Sequence, residues 1–248
     1  MRVYYVSLMT QLLRLVIITP FLVIALRKRE KRNIQYVLLF AAFFLIGGLI
    51  RGVPFYFKSV NFAHTMWNWE GKFCAIVFSI MFVLIYRKIP LAEYGVTWKH
   101  HPSSLMPCLI LTTFYISAGF IIGLLTHSGY DFSLETLFFE LSMPGLDEEI
   151  FFRGVGLTLL NKAFGKNQNL FGAKIGWGLI IISLLFGLIH GVHLSDGLRL
   201  EVDLFSVSLT AFSDFLLGWL RERSGCLVLP IAAHNLGNTV TRLAEWIS

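Results

Sequence analysis

The run Pro102–Tyr130 contains no Asp, Glu, Lys or Arg. A helix needs ~20 mostly apolar residues to cross the hydrocarbon core of a bilayer, and this run exceeds that. Asn33–Ile50, Phe73–Tyr86, Ile175–Ser195 and Ser224–Thr241 are also free of those four residues. Three more apolar stretches carry charges: Val3–Leu26 with Arg14, Thr136–Leu160 with an acidic cluster, and Val202–Leu220 with Asp214. Of the 248 residues, 56% are hydrophobic and only 15% charged, against about 25% charged in a soluble domain. One soluble core of this size cannot hide so much apolar surface. Disorder, a nucleic-acid arm and a disulfide scaffold are excluded with it. The expected fold is all-α, a polytopic transmembrane bundle of about eight spanning helices. A membrane barrel does not fit, because the runs are continuous rather than alternating.

The loops agree with eight spans. Arg27, Lys28, Arg29, Lys31 and Arg32 follow the first run. Arg87, Lys88 and Lys99 follow the third, Lys162, Lys166 and Lys174 the fifth, and Arg221 and Arg223 the seventh. The alternate loops and ends carry only Arg2, Arg51, Lys58, Lys72, Arg199 and Arg242. The positive-inside bias then places the basic loops in the cytoplasm and both termini outside. No cleavable signal peptide is expected, since the charge cluster follows the first apolar run instead of preceding it. The aromatic-rich segment Pro54–Trp69 reads as an interfacial belt rather than a binding site. Residues 1–248 are expected to form a single membrane-embedded domain. Cys74, Cys108 and Cys226 are few and scattered and read as packing residues.

The informative residues are the polar ones inside apolar spans. Asp147, Glu148, Glu149 and Arg153 fall within seven residues of the fifth run. Each charge costs about 2.5–3.5 kcal/mol at a bilayer centre on insertion scales, so the cluster must face the bundle interior or a wet cavity. Glu149 and Arg153 are four apart and can pair on one helical face. Glu148 points ~100° away and is left over. Pro144, upstream, should kink the helix and open local room. The sixth run holds Phe186 and His190, and the eighth holds His234 and Asn238. Each of these pairs is four residues apart and shares a helix face. His64, His100, His101, His127 and His193 fall in loops or at membrane edges.

Glu148, His190, His234 and Asn238 fit two hydrolytic schemes. Glu148, His190 and His234 can hold one divalent metal such as Zn²⁺, with water in the open position. Alternatively, no metal is needed: Glu148 and His190 activate water as general base while His234 and Asn238 donate to the developing oxyanion. Both attack an acyl carbon and imply a peptidase acting on a membrane-associated peptide. No His-Glu-x-x-His zincin signature and no Gly-x-Ser-x-Gly elbow is present.

Glu148-Glu149-x-x-x-Arg153, Phe186-x-x-x-His190 and His234-x-x-x-Asn238 resemble, in this order, the three motifs of the CAAX-protease and bacteriocin-processing (CPBP, or Abi) family of intramembrane proteases. The resemblance covers roughly residues 100–248. It implies an endopeptidase in which Glu148 and His190 activate water and His234 and Asn238 stabilise the oxyanion, with Glu149, Arg153 and Phe186 supporting. It also implies a membrane-anchored peptide or protein substrate, the lipid bilayer as surroundings, no nucleic-acid partner, and a bacterial cell membrane as location. Whether such enzymes are metallo- or glutamic proteases stays open; the Asn one turn after His234 suits an oxyanion donor better than a zinc ligand. Two other classes remain: an inactive binding or scaffold protein, and a transporter or proton relay. Asp214 and Arg14 most favour the relay; their structural alternative is pairing with each other or with a helix end.

Overall fold

A computed structural model of the chain describes residues 2–27, 33–56, 65–126, 132–195 and 197–248. Its helices are α1 (Arg2–Arg27), α2 (Ile34–Arg51), a single turn α3 (Val53–Tyr56), α4 (Trp69–Ile85), α5 (Leu105–Thr126), α6 (Leu134–Glu148), α7 (Leu157–Phe164), α8 (Trp177–Gly191), α9 (Leu204–Ser224) and α10 (Val228–Ile247). A π-helical stretch, Glu149–Gly156, joins α6 to α7 into one long rod. Each of the eight expected runs therefore contains a helix. Three of these helices are long and apolar enough to cross a membrane by length and composition: Tyr4–Arg27 within α1, Ile34–Arg51 and Leu105–Thr126.

Several boundaries differ from the sequence expectation, each for a local reason. α4 starts at Trp69, before the charge-free run, because Asn68 caps it by accepting from the Gly71 amide at 3.1 Å. Ser133 caps α6, and Asp203 caps α9 by accepting from the Ser206 amide at 3.0 Å. α9 ends where Gly225 takes φ +82°, a left-handed cap that suits glycine.

Two short hairpins lie between the helical runs, and β3 of the second replaces the expected helical end of Ile175–Ser195. β1 (Gln168–Leu170) pairs antiparallel with β2 (Ala173–Ile175), and β3 (Val192–Leu194) with β4 (Leu200–Val202). In the first, Phe171 and Gly172 both have positive φ, the signature of a tight two-residue turn. The second matters more for the site. It ends α8 at Gly191, only one residue after His190.

Arg14 fixes that end. Its guanidinium makes three hydrogen bonds to carbonyls of the α8 terminus and β3: Nε to Val192 O at 3.0 Å, Nη2 to Val192 O at 2.8 Å and Nη2 to Ile189 O at 3.0 Å. The Leu194 amide donates to Thr10 Oγ1 at 3.2 Å. Arg14 and Thr10 both lie inside the apolar stretch Tyr4–Arg27. The intramembrane cation thus satisfies orphan carbonyls at a helix C-terminus, and it is paired with backbone rather than with Asp214.

The core is aromatic. The Phe43 ring stacks on Phe151 at 4.4 Å and on Phe78 at 5.1 Å. A Cβ at Gly47 would overlap the Phe151 ring, so this glycine lets α2 approach the π-helical stretch. Described residues in or beside the basic loops meet at one end of the bundle. Asn33 Nδ2 donates to Lys162 O at 3.1 Å, Lys162 pairs with Glu93 at 2.5 Å, Arg221 donates to Glu93 O, and the His101 amide donates to Ser224 O. Cys108 and Cys226 are buried, and all three cysteines are free.

Arg14→Met strands the α8 carbonyls in a buried setting. It should destabilise the fold by about 2–3 kcal/mol, read as a lower unfolding midpoint in detergent, with Arg14→Lys recovering part of the loss.

Candidate active site

Glu148 and Glu149 close α6 and open the π-helical stretch. Although adjacent residues point apart on a helix, both reach one imidazole. His234 Nδ1 bonds to Glu149 Oε1 at 2.7 Å, while His234 Nε2 stands 3.9 Å from Glu148 Oε2. Because a carboxylate only accepts, Nδ1 carries the proton and Nε2 is turned to the cavity.

Behind this imidazole lies a dry ion cluster. Arg153 Nε is 3.2 Å from Glu149 Oε2, and Arg153 Nη2 is 2.7 Å from Asp214 Oδ1. All three side chains are fully buried. The Glu149–Arg153 pair is the one expected from their spacing. Asp214 is its second acid, contributed by α9. The Arg153 guanidinium also lies 4.9 Å from the centre of the Phe186 ring.

His190 is held differently. Its Nδ1 bonds to the Phe186 carbonyl, one turn back, at 2.9 Å. The carbonyl can only accept, so Nδ1 donates and the neutral ring keeps a lone pair on Nε2. Phe186 stands between the two imidazoles, 4.5 Å from the His190 ring centre and 6.5 Å from that of His234.

Glu148 is not left over. Lys72 Nζ sits 2.6 Å from its Oε1 and 3.4 Å from Asp147 Oδ2. Arg51 completes the pattern with two 2.9 Å bonds to the two Asp147 oxygens. Sequence reasoning assigned Lys72 and Arg51 to outer loops, and assigned no motif to the first hundred residues. Their only sequence signal is position: each falls at a helix end next to an aromatic segment. The belt reading of Pro54–Trp69 also needs correction. Trp67 stacks on Phe139 at 5.0 Å and donates Nε1–H to Thr136 at 2.9 Å, and Trp67 and Asn68 line the site. Residues 57–64, with His64, and residues 127–131, with His127, lie outside the described residues.

Asn235 was also missed. Pro144 cannot donate, and near it the Gly145 amide donates to Asn235 Oδ1 at 2.7 Å while Asn235 Nδ2 donates to Ser142 O at 3.1 Å. This amide serves the backbone at the proline and sets the register of α10, and so of His234, against α6.

Glu148, His190, His234 and Asn238 line a single cavity of about 640 Å³. Its other walls include Trp67, Lys72, Phe139, Glu140 and Phe186. Asn238 Nδ2 donates to Glu140 Oε2 at 3.0 Å. His193 is elsewhere, 2.9 Å from Glu201 on the β3–β4 hairpin, and His100 contacts Cys226 at the basic end.

The donor set does not fit a metal well. Among the described residues no group of three or more His, Cys, Asp or Glu is placed to hold an ion. In addition, the Lys72 ammonium already occupies one oxygen of Glu148. Asp214 and Arg14, the residues that favoured a relay, are both held in structural pairings, with Arg153 and with the α8 terminus.

Residues 132–240 match the family model described as Type II CAAX prenyl endopeptidase Rce1-like. The match spans all three motifs, Glu148 to Asn238. No curated protein and no solved structure matches the chain.

Asp214→Asn leaves Arg153 buried with one acid. It should cost about 3–5 kcal/mol of stability, measured by denaturant or thermal unfolding in detergent. Glu148→Gln, at the slightly exposed cavity wall, should lose less.

Proposed function

Since residues 132–240 carry an Rce1-like domain of the CAAX protease family, we propose that the chain is an intramembrane endopeptidase that cleaves a membrane-anchored peptide or protein with water activated by Glu148 and His190. The observation that carries this reading is the meeting of four polar side chains in one cavity, with Glu148 Oε2 3.9 Å from His234 Nε2. The carboxylate and both imidazoles present acceptor or donor atoms to the same space, as hydrolysis of an acyl carbon requires.

In this mechanism Lys72 holds Glu148 Oε1, which leaves Oε2 to accept a proton from water. His190 offers Nε2, since its Nδ1–H is committed to Phe186 O. The water oxygen bonds to the scissile carbonyl carbon, and its proton passes to the base pair and then to the leaving amine. His234 donates from Nε2 when that nitrogen carries a proton, and Asn238 donates from Nδ2, to the tetrahedral oxyanion. Glu149 supports His234 through Nδ1, and Arg153 and Asp214 hold Glu149 in turn. Given the poor fit for a metal, water and protein groups carry the reaction alone.

The surroundings follow the same reading. The same proposal puts the chain in a bacterial cell membrane, with the basic loops in the cytoplasm and both termini outside, because Lys and Arg are concentrated in every second loop of the sequence. Residues 1–248 act as one membrane-embedded domain, with residues 100–248 as the protease core.

The test is cleavage of an internally quenched, prenylated CAAX peptide by purified protein in micelles. Glu148→Gln and His190→Ala should each reduce kcat by about 10²–10⁴-fold without loss of fold. Cleavage by Glu148→Gln at the wild-type rate would overturn the assignment. Protein dialysed against a strong chelator should keep its activity; loss that zinc restores would put the metal scheme first.

A further inference from the structure

We propose that Glu140 is a positioning residue for the carboxamide of Asn238. The inference rests on the reading of Asn238 as an oxyanion donor, and Glu140 lies outside all three sequence motifs.

Glu140, Pro144 and Glu148 follow one another at four-residue intervals along α6, and all three line the cavity. The Glu140 side chain is 10% exposed. Its Oε2 accepts from Asn238 Nδ2 at 3.0 Å, and Arg242 Nη2 stands 3.9 Å from its Oε1.

An asparagine side chain has two faces of opposite use. Nδ2 donates two hydrogen bonds, whereas Oδ1 only accepts and would repel an oxyanion. Rotation by half a turn about the last bond exchanges them. A carboxylate settles the choice, because it only accepts: the flipped amide would set Oδ1 against a carboxylate oxygen at the same distance. Glu140 therefore fixes which end of the amide is nitrogen. One N–H is bound to Glu140, and the other remains for the reacting carbonyl. Arg242, whose Nη1 pairs with Glu245 at 2.6 Å, brings a positive charge near the other oxygen of this acid. The whole arrangement is assembled before substrate arrives, the condition under which a donor contributes most to an oxyanion site.

The experiment is a double-mutant cycle on kcat and KM with the quenched prenylated peptide in micelles, using Glu140→Gln, Asn238→Ala and the double variant. Glutamine keeps the shape of the acid but can meet either end of the amide. Glu140→Gln should lower kcat about tenfold with KM unchanged. In the Asn238→Ala background it should change kcat by less than twofold, since nothing is left to orient. An equal loss in both backgrounds, or no loss in the wild-type background, overturns the positioning role while leaving the protease reading intact. Wild-type turnover in Asn238→Ala would instead overturn the oxyanion reading, and the positioning role with it. A readout independent of turnover is selective ¹⁵N labelling of asparagine side chains, with the Asn238 signal identified by its loss in Asn238→Ala. Glu140→Gln should shift that signal and speed exchange of its amide protons; an unchanged signal overturns the contact.

Discussion

Arg153 is the cation around which the protein is organised. Its charge is wholly buried and compensated by two acids from different helices, Glu149 at the start of the π-helical stretch and Asp214 on α9. Burying three charges is costly, and their mutual attraction offsets the cost only while every partner is in place. Glu149 then passes the constraint on, since its other oxygen binds His234 on α10. One guanidinium thereby ties three segments that the chain separates by dozens of residues. The π-helical geometry has a local reason to occur here. Such wide turns are found at functional sites, and this one begins at Glu149 and contains Arg153.

Much of the architecture was legible because its signals are chemical and local. Charge-free runs mark helices, and basic loops alternate. Embedded Glu148, His190, His234 and Asn238 stand out because polar groups in lipid need a reason. The Glu149–Arg153 spacing also implied their pairing. What escaped is what depends on approach between distant segments. Asp214 read as a lone acid, and only packing of α9 against the rod gives it Arg153. Lys72 and Arg51 read as loop charges, because nothing in spacing shows that α2 and α4 lean their ends against Asp147 and Glu148. Asn235 looked like a filler beside His234, and its service to the backbone at Pro144 needs the fold. Strand β3 lies within the charge-free run Ile175–Ser195, and nothing in that composition separates its three residues from the helix before them.

The N-terminal half gains its meaning from these misread residues. It contains none of the three motifs and lies outside the Rce1-like match. Yet α4 supplies the ammonium on Glu148, α2 the guanidinium on Asp147, and α1 the arginine that ends α8. Remove these helices and Asp147, Glu148 and the carbonyls beside His190 would lose their partners together. The motif-bearing segment carries the proposed reacting groups, while α1, α2 and α4 supply counter-charges and caps that an apolar surrounding cannot provide.

The division between dry and wet groups follows the chemistry each must do. Glu149, Arg153 and Asp214 are sealed, which suits a cluster whose task is to hold geometry. Glu148 and Lys72 keep side-chain exposures of 16% and 12%, and His234 keeps 7%. Those small openings face a cavity whose other walls are Trp67, Phe139 and Phe186. Apolar walls would suit the proposed lipid-embedded substrate, whose hydrolysis would need water at one point only. α8 bears on that point. With 15 residues it rises about 22 Å, less than the ~30 Å hydrocarbon thickness, so His190 stands at a helix end beside Arg14, within the apolar stretch of α1. A full-length α8 would carry that position through as unbroken helix. Ending it early places a backbone terminus, an imidazole and a cavity at one level, which is what the proposed hydrolysis of an embedded peptide requires.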